Sequence, residues 1–205
     1  MSMSGTVFLL DDEPGMLKAL SRFLTAEGFT VKSFSSAADF LAGYAPGENG
    51  CLVLDVYMPD LDGLELQQHL LARPPVLPIV FLTGHGDIPM SVRAIKSGAV
   101  DFLTKPVKDE VLLAAVRAAL AIAESRDSEA RTTAQLRERY QNLTPREREV
   151  MGLVITGMLN KQIAAELGTG LQTIKVHRGR AMQKMGLESV ADLVRAAERL
   201  GITVS

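Results

Sequence analysis

The sequence predicts a doubly wound α/β domain with a parallel sheet, followed by a small all-α domain that contains a helix-turn-helix. In the front half, short apolar runs alternate with amphipathic helical patterns, as expected for a parallel sheet covered by helices on both faces. After residue 142 only short helical patterns follow, separated by Gly157, Gly168 and Gly186. The predicted structure therefore changes once along the chain, from alternating strands and helices to helices alone.

The two halves of the 205-residue chain also differ in charge. Residues 1–124 carry 9 Lys and Arg against 15 Asp and Glu, a formal charge of −6, whereas the remainder carries 13 against 9, or +4. With 47% hydrophobic residues, the chain can form two modest domains with separate cores. An acidic front and a basic back indicate that the two domains have different partners.

Three of the five predicted strands contain continuous apolar runs, VFLL, CLVL and IVFL, which are typical of parallel strands buried on both faces. The five predicted strands span residues 6–10, 30–34, 51–55, 79–83 and 101–103. Helical patterns begin near Pro14, Ser36, Gly63 and Ile88 and after Lys108. This alternation places the first domain at residues 1–123.

Residues 124–142 are predicted to form a helical linker. The segment begins ESRDSEARTTAQLRERYQ, which is polar and lacks Gly and Pro, and it follows the apolar VLLAAVRAALAIA. Two interpretations stay open: an exposed helix that pairs with a partner helix, or a solvated tether. A second domain at residues 143–205 starts with LTPRE, where Thr144, Pro145 and Glu147 form a helix start with a capping box.

Composition excludes several classes of protein. Cys51 is the single cysteine and lies inside an apolar run, so a disulfide framework is excluded and a reducing compartment is expected. The N-terminus, MSMSGTVFLLDDE, has no basic region followed by the long apolar stretch of a secretion signal. No apolar run approaches the roughly 18 residues of a membrane span. We therefore expect a cytoplasmic protein without a membrane segment.

Polar side chains follow the predicted strands at their carboxyl ends, where doubly wound folds bind ligands. Asp11 and Asp12 follow the first strand, Asp55 ends the third, Thr83 ends the fourth, and Lys105 follows the fifth. Each of these residues alone is most often a turn, cap or solvated residue. As a set on the matching strand ends, they are expected to converge on one site.

The converging groups suit phosphoryl chemistry at a metal. Three carboxylates provide oxygen ligands for a hard divalent cation, Mg²⁺ or Mn²⁺, and without a cation they would repel one another. Asp55 ends a rigid central strand and can act as a nucleophile toward phosphorus, forming an aspartyl phosphate. Lys105 offers a charge and Thr83 a hydroxyl to the phosphoryl oxygens, and Gly84 leaves room. Histidines do not stand at zinc-ligand spacing, and His85 is expected in a solvated loop.

The motifs LLDDE, LVLDVYMPDLDG, VFLTGHGD and AVDFLTKP resemble the receiver domain of two-component response regulators, a flavodoxin-like fold, over roughly residues 5–124. The resemblance implies that a sensor histidine kinase phosphorylates Asp55. It also implies that Mg²⁺ is held by Asp12, Asp55 and the backbone carbonyl of Tyr57, with Asp11 acting mainly through water. Such a domain is not an enzyme: it assists only its own phosphoryl transfer and autodephosphorylation.

The same resemblance implies a switch. Thr83 would turn toward the phosphoryl group and Phe102 would swing inward, which couples the pocket to the opposite face of the domain. An aromatic residue beside a strand is otherwise most often a core residue, so Phe102 has two interpretations. The Lys105-Pro106 bond is typically cis in this family, a state that is tolerated only before proline.

Residues 158–186, MLNKQIAAELGTGLQTIKVHRGRAMQKMG, predict two helices joined by a short turn that contains glycine, a helix-turn-helix candidate. The helices are placed at about residues 160–167 and 171–185, with the turn at Gly168-Thr169-Gly170. The second helix contains no acid and a charge of +4. Its expected core stripe is Ile174, Ala181 and Met185. Lys and Arg neutralise DNA phosphates, and Gln, Thr, Lys or a small apolar side chain can read base edges.

The stretches LTPREREV, GMLNKQIAAELG and TIKVHRGRAMQKMG are similar to the LuxR-type four-helix module that forms the C-terminal domain of the FixJ/NarL class, over about residues 143–200. The resemblance implies that Lys175 and Val176 read bases. It further implies that the DNA backbone is contacted by Thr173, His177 and Arg178.

Gly179 departs from this family pattern, in which a larger residue is frequent. A glycine inside a helix costs about 1 kcal/mol relative to alanine, although it permits close approach of another backbone. The departure puts one expected DNA contact, at Gly179 itself, in doubt.

Together these features predict a two-domain transcriptional response regulator. Phosphorylation of Asp55 by a sensor histidine kinase would shift an equilibrium toward a homodimer that binds half-sites about 34 Å apart on double-stranded DNA and activates transcription, with RNA polymerase as a further partner. Two rival hypotheses are a phosphorylation-independent DNA-binding regulator and an aspartyl-nucleophile phosphohydrolase of the haloacid-dehalogenase type. The complete acidic set disfavours the first. The second requires another aspartate where this chain has Tyr57.

Overall fold

The computed structural model describes residues 5–45, 47–59, 61–72, 76–84 and 87–202. The chain divides into two compact units, Met1–Asp127 and Ser128–Ser205. His85, for which a solvated loop is predicted, lies outside the described residues. In chain order the elements are β1 (Thr6–Leu10), α1 (Pro14–Ala26), β2 (Thr30–Phe34), α2 (Ala37–Gly43), β3 (Gly50–Leu54), α3 (Gly63–Leu71), β4 (Ile79–Thr83), α4 (Ile88–Lys96), β5 (Asp101–Thr104), α5 (Asp109–Gln141), α6 (Pro145–Ile155), α7 (Asn160–Glu166), α8 (Leu171–Met185) and α9 (Val190–Leu200).

The five strands form one parallel sheet in the order β2-β1-β3-β4-β5, which confirms the predicted doubly wound α/β class. Two strands differ from the predicted limits by one residue: β3 ends at Leu54 rather than at Asp55, and β5 continues to Thr104. The backbone N–H of Asp55 still donates to the carbonyl of Leu10 at 2.9 Å. Asp55 therefore lies at the carboxyl edge of the sheet, directly beyond its central strand.

Hydrophobic cores cover both faces of the sheet. One is built around Phe8, Phe40 and Phe81 and includes side chains of α2, α3 and α4, and the other includes side chains of α1 and α5. Because side chains alternate between the faces of a strand, every residue of β3 and β4 is buried. Polar groups of these strands can then be accommodated only at the ends, which is where the acidic residues occur.

The second unit is a helical bundle built on the end of α5 and on α6 to α9. The predicted core stripe of α8 is confirmed, since Ile174 and Met185 are fully buried and Ala181 is 2% exposed. The turn between α7 and α8 contains Gly168 in the left-handed region with φ 58°, which a glycine adopts without strain. The helix-turn-helix prediction is therefore confirmed to within one residue at its limits.

Glu147 links the first turn of α6 to the far end of α8. The predicted capping box is present: the N–H of Glu147 donates to Thr144 Oγ1 at 3.3 Å, and the N–H of Thr144 donates to Glu147 Oε2 at 2.8 Å. The same carboxylate pairs with Lys184 Nζ at 2.7 Å, although Glu147 is only 3% exposed. Hydrogen bonds from Lys184 and from the Thr144 backbone lower the pKa of Glu147 to about 2.

We expect this carboxylate to make the stability of the second unit depend on pH. Because the pKa of Glu147 falls from 4.5 to about 2 on folding, its contribution is present above the higher value and is lost as pH falls toward the lower one. The change Glu147→Gln should therefore destabilise the protein more at about pH 7 than at about pH 3. Chemical denaturation at both pH values measures the difference.

The control for this prediction is Glu149→Gln in the same helix. Glu149 pairs with Arg146 at 2.7 Å, but both side chains are substantially exposed, and exposed pairs contribute about 1 kcal/mol or less. The control should change the free energy of unfolding little at either pH. A Glu147→Gln effect that is equal at the two pH values would contradict the prediction.

The predicted linker contributes side chains to both units. At its beginning, Arg126 Nη1 donates to the carbonyl of Val76 at 2.9 Å, and near its end Leu136 and Tyr140 pack in the core of the second unit. The domain limits at residues 123 and 143 stay predictions. In the ranges that the structure describes, none of the helices combines the length and the apolar character that a membrane span requires.

Candidate functional site

The acidic residues meet at the carboxyl edge of the sheet because β1 and β3 are adjacent strands. Leu10 and Leu54 are in register at the ends of these strands, so Asp11 and Asp55 leave the sheet side by side. Asp11, Asp12 and Asp55 each bring one carboxylate oxygen to a position where the three oxygens lie within 4.8 Å of one another. Asp11 is 4% and Asp55 is 8% exposed, whereas Asp12 is exposed.

Lys105 pairs with the two buried acids. Its Nζ lies 2.5 Å from Asp11 Oδ2 and 2.8 Å from Asp55 Oδ2. The loop after β5 is held in place by a hydrogen bond from the Lys105 N–H to the carbonyl of Thr83 at 2.8 Å. Burial lowers the pKa of Lys105, but the hydrogen bonds and charges of Asp11 and Asp55 outweigh burial and raise it above its ordinary value. The ammonium is therefore charged in this pocket.

Each buried acid also accepts a backbone hydrogen bond. Asp11 Oδ1 accepts from the N–H of Glu13 at 2.9 Å, and Asp55 Oδ1 accepts from the N–H of Tyr57 at 3.2 Å. Together with Lys105, these bonds hold both carboxylates in fixed orientations. Lys105 thus relieves part of the charge repulsion among the three carboxylates. The acidic cluster alone is therefore weaker support for a bound metal than the sequence indicates.

The donor set nevertheless fits a small divalent cation. Ligand oxygens at about 2.0–2.1 Å from Mg²⁺ lie at most about 4.2 Å apart, close to the 4.8 Å within which the three carboxylate oxygens are found. Tyr57, whose carbonyl is the fourth predicted ligand, has a side chain that is 51% exposed, consistent with a role through its backbone.

Gly63 shapes this pocket, and sequence reasoning identified it only as a helix start. A Cβ at this position would lie 2.4 Å from the carbonyl oxygen of Asp55 and 3.0 Å from Val56 Cα. The first turn of α3 therefore approaches the backbone that follows β3 as closely as only glycine allows. Asp62 fixes this approach as the N-cap, accepting from the N–H of Leu64 at 2.8 Å. The signal in the sequence is an Asp-Gly pair directly before an amphipathic helix.

The predicted switch residues lie on the two strands at one side of the site. Thr83 is fully buried at the end of β4, while Phe102 on β5 is only partly buried and lies 5.8 Å from Phe81 between ring centroids. The Lys105-Pro106 peptide bond is cis, in agreement with what the family resemblance implies. At Gly84, an added Cβ would meet no described atom within 4 Å, so packing does not require glycine there.

Helix α8 presents most of its predicted DNA-binding residues to solvent. Thr173, Lys175, Val176 and Gly179 are exposed, and Val176 is an apolar side chain at 41% exposure. Positive and small apolar groups thus share the surface of one helix, opposite the buried stripe. This is the composition that recognition of a major groove requires.

The remaining two predicted contacts are partly buried. Arg178 donates from Nη1 to Asn160 Oδ1 at 2.8 Å, so part of its hydrogen-bonding capacity is used within the domain, between α8 and the first residue of α7. His177 is also partly buried, and its Nδ1 is an unpaired buried atom. Sequence reasoning missed Asn160, because nothing in the local pattern links it to a residue 18 positions away.

Comparison with known proteins agrees with this geometry. Residues 7–117 match the family model described as the response regulator receiver domain, and residues 141–197 match the model of bacterial regulatory proteins of the luxR family. The chain is 47% identical over 197 residues to the response regulator protein TodT of Pseudomonas putida, covering 96% of this chain and 87% of TodT. It is 40% identical to the transcriptional regulatory protein FixJ of Bradyrhizobium diazoefficiens, covering 98% of each.

Solved structures give the same assignment. The structure of the response regulator StyR matches with a TM-score of 0.84 and 45% identity, covering 95% of this chain and 98% of StyR. Both halves of the chain thus have family matches, and relatives align along nearly its whole length. The chain belongs to the response regulators that join a receiver domain to a LuxR-type DNA-binding domain.

Proposed function

We propose that Asp55 accepts a phosphoryl group from a phosphohistidine of a sensor histidine kinase. The observation that carries this proposal is the position of Asp55: a buried carboxylate at the end of the central strand, 2.8 Å from Lys105 Nζ and beside Asp11 and Asp12. An Asp55 oxygen forms the new bond to phosphorus, the bond between phosphorus and the imidazole nitrogen breaks, and the nitrogen keeps the electron pair.

The surrounding residues have distinct roles in this step. Lys105, which already contacts Asp55, would form an ion pair with the phosphoryl oxygens. Thr83, buried at the neighbouring strand end, supplies a hydroxyl. Asp12, Asp55 and the carbonyl of Tyr57 would hold Mg²⁺, with Asp11 acting through water; the ion neutralises charge on the phosphoryl oxygens. The same groups assist autodephosphorylation, in which water releases inorganic phosphate from Asp55.

We propose further that phosphorylation promotes homodimerisation through a change at Thr83 and Phe102. Phe102 is only partly buried, so an inward movement would bury more of its ring, and this burial alone would stabilise the inward position. The helix that follows Thr83 exposes an apolar stripe, with Ile88 at 78%, Val92 at 43% and Ile95 at 46% exposure. These positions are four and three residues apart and share one helix face, which a second copy of the chain can cover.

The dimer would place two copies of α8 on double-stranded DNA, at half-sites about 34 Å apart. Lys175 and Val176 would read bases, and Thr173, His177 and Arg178 would contact the backbone. We propose that promoter binding in the cytoplasm activates transcription, with RNA polymerase as the partner of the bound dimer. The exposure of Thr173, Lys175 and Val176 supports the DNA role, while the direction of regulation comes from the family resemblance.

The experiment that tests this scheme compares the full-length protein with and without acetyl phosphate or beryllofluoride, each in the presence of Mg²⁺. We expect the treated protein to be dimeric by sedimentation and to bind operator DNA more tightly. Equal mass and equal affinity in both states would contradict a phosphorylation-dependent regulator. Such a result would favour phosphorylation-independent DNA binding.

Replacing a base-reading residue should weaken specific binding. We expect Lys175→Ala to lower operator affinity by about tenfold or more, because a specific contact to a base edge contributes about 1–3 kcal/mol. Affinity for unrelated DNA should fall less. Fluorescence anisotropy with both duplexes measures the two effects.

The matched control is Lys18→Ala, which removes the same charge from an exposed position of α1 in the first unit. It should leave both affinities unchanged. A Lys175→Ala variant that binds the operator like the wild-type protein would remove Lys175 from the recognition surface.

A further inference from the structure

Gly179 is unexplained by the fold of the second unit. It lies in the interior of α8 at an exposed position, and its φ is not positive. A Cβ at this position would meet no described atom within 4 Å. Neither backbone conformation nor packing therefore requires glycine, although glycine is among the least favourable residues inside a helix. A residue that weakens its own helix without a structural reason points to function.

The space beside Gly179 is a shallow depression on the surface of α8. Its volume is about 290 Å³, and its lining includes Lys175, Arg178 and Gly179 of α8, together with Asn160 of α7 and Glu188 after α8. Two cations, one carboxylate and two apolar side chains are therefore among the groups that surround it. Because Gly179 has no side chain, the α8 backbone itself lines this part of the depression. A group that enters the depression can therefore lie close to that backbone.

Arg178 is held in the wall of this depression. Its Nη1 donates to Asn160 Oδ1 at 2.8 Å, and because Asn160 is neutral, the guanidinium keeps its full charge. A guanidinium has five N–H donors, so one bond to Asn160 leaves donors for a second partner. The depression thus offers a fixed positive charge next to a stretch of helix backbone without a side chain.

We propose that this depression receives the sugar-phosphate backbone of one DNA strand, and that Gly179 sets how closely the strand approaches α8. A phosphodiester group would lie against Gly179 with Arg178 as its charged partner. Asn160 is then a positioning residue, which holds Arg178 where the phosphate enters. This inference rests on the proposed DNA-binding role of α8 and adds to it the position of closest approach. It also replaces the expected side-chain contact at Gly179 with a contact that depends on having no side chain.

The test uses the full-length protein, activated with beryllofluoride and Mg²⁺, and the variants Gly179→Ala and Gly179→Leu. Affinity is measured for an operator duplex and for a duplex of unrelated sequence. Because a phosphate contact carries no sequence information, we expect both affinities to fall by the same factor, on the order of tenfold for the leucine variant, and by less for alanine. The thermal transition of the second unit, Ser128–Ser205, should rise by about 4–8 °C in Gly179→Ala, since alanine favours the helix.

The matched control is Ala134→Leu, which adds a large apolar side chain at an exposed position of α5. It should leave both affinities unchanged. Asn160→Ala should lower the affinity for both duplexes by the same factor. In a protein that already carries Arg178→Ala, adding Asn160→Ala should cause no further loss of affinity.

The outcomes separate this inference from the function on which it rests. Unchanged affinity of Gly179→Leu would overturn the proposed close approach, as would a loss confined to the operator duplex, which would show base reading at this position. Weaker binding with a lowered thermal transition would mean that glycine is needed for folding, and would also overturn the proposal. Failure of the wild-type protein to bind either duplex would instead refute the DNA-binding role of α8.

Discussion

The variant Asp55→Asn should not take up a phosphoryl group, and activation by phosphodonors should be lost with it. An amide oxygen is a far weaker nucleophile than a carboxylate, so the variant keeps a side chain of similar size beyond β3 but lacks the group that would attack phosphorus. Incubation with acetyl phosphate and Mg²⁺, followed by intact-protein mass spectrometry, measures the phosphoryl adduct directly.

The appropriate control for this loss is Asp109→Asn. Asp109 is exposed at the first position of α5, so the variant removes one carboxylate while leaving the pocket intact. It should be labelled like the wild-type protein. Labelling of Asp55→Asn at the wild-type rate would place the phosphoryl acceptor at another residue.

A large effect on stability is expected for Gly63→Ala. The added Cβ would lie 2.4 Å from the carbonyl oxygen of Asp55, and both groups belong to backbone that cannot move without shifting α3 or the loop after β3. Overpacking a core typically costs about 1–3 kcal/mol, and a clash with backbone should lie at the upper end of that range. Urea denaturation measures the change in the free energy of unfolding.

Because the displaced loop carries Asp55 and the carbonyl of Tyr57, Gly63→Ala should also slow phosphorylation. Gly15→Ala is the matched control: Gly15 lies in the first turn of α1, and its added Cβ would have only Glu13 Oε1 nearby, at 3.9 Å. That change should be neutral or stabilising. Equal stability of the two variants would show that the close approach at Gly63 relaxes at little cost.

The strands, and the meeting of Asp11, Asp55 and Lys105 at one edge of the sheet, could be predicted from the sequence because each depends on local pattern and on one topological rule. Four consecutive apolar residues before Asp55 identify a strand buried on both faces, and parallel strands bring their carboxyl ends to one edge. That rule was enough to group Asp11, Asp55 and Lys105 before any distance was known. The Gly-containing turn before Leu171 located the start of α8 in the same way.

What the sequence did not reveal are contacts between residues far apart in the chain. The strand-end rule places Lys105 near Asp11 and Asp55, but nothing in the pattern shows that Lys105 bonds to both of them, 94 and 50 residues away. Nothing in it joins Arg178 to Asn160 either. The close approach at Gly63 was hidden for another reason. A glycine that begins a helix looks the same whether it is needed for turn geometry or for space, and only the neighbouring backbone distinguishes the two.

The ion pair between Lys184 and Glu147 has a consequence for the electrostatics of α8. The sequence counts four cations on this helix, but Lys184 lies 2.7 Å from a buried carboxylate, so its charge is largely compensated inside the domain. About three charges per copy then remain to displace counterions from DNA. Since each neutralised phosphate contributes a slope of about −0.9 to the dependence of log affinity on log salt concentration, operator binding should tolerate salt better than the formal charge of α8 suggests.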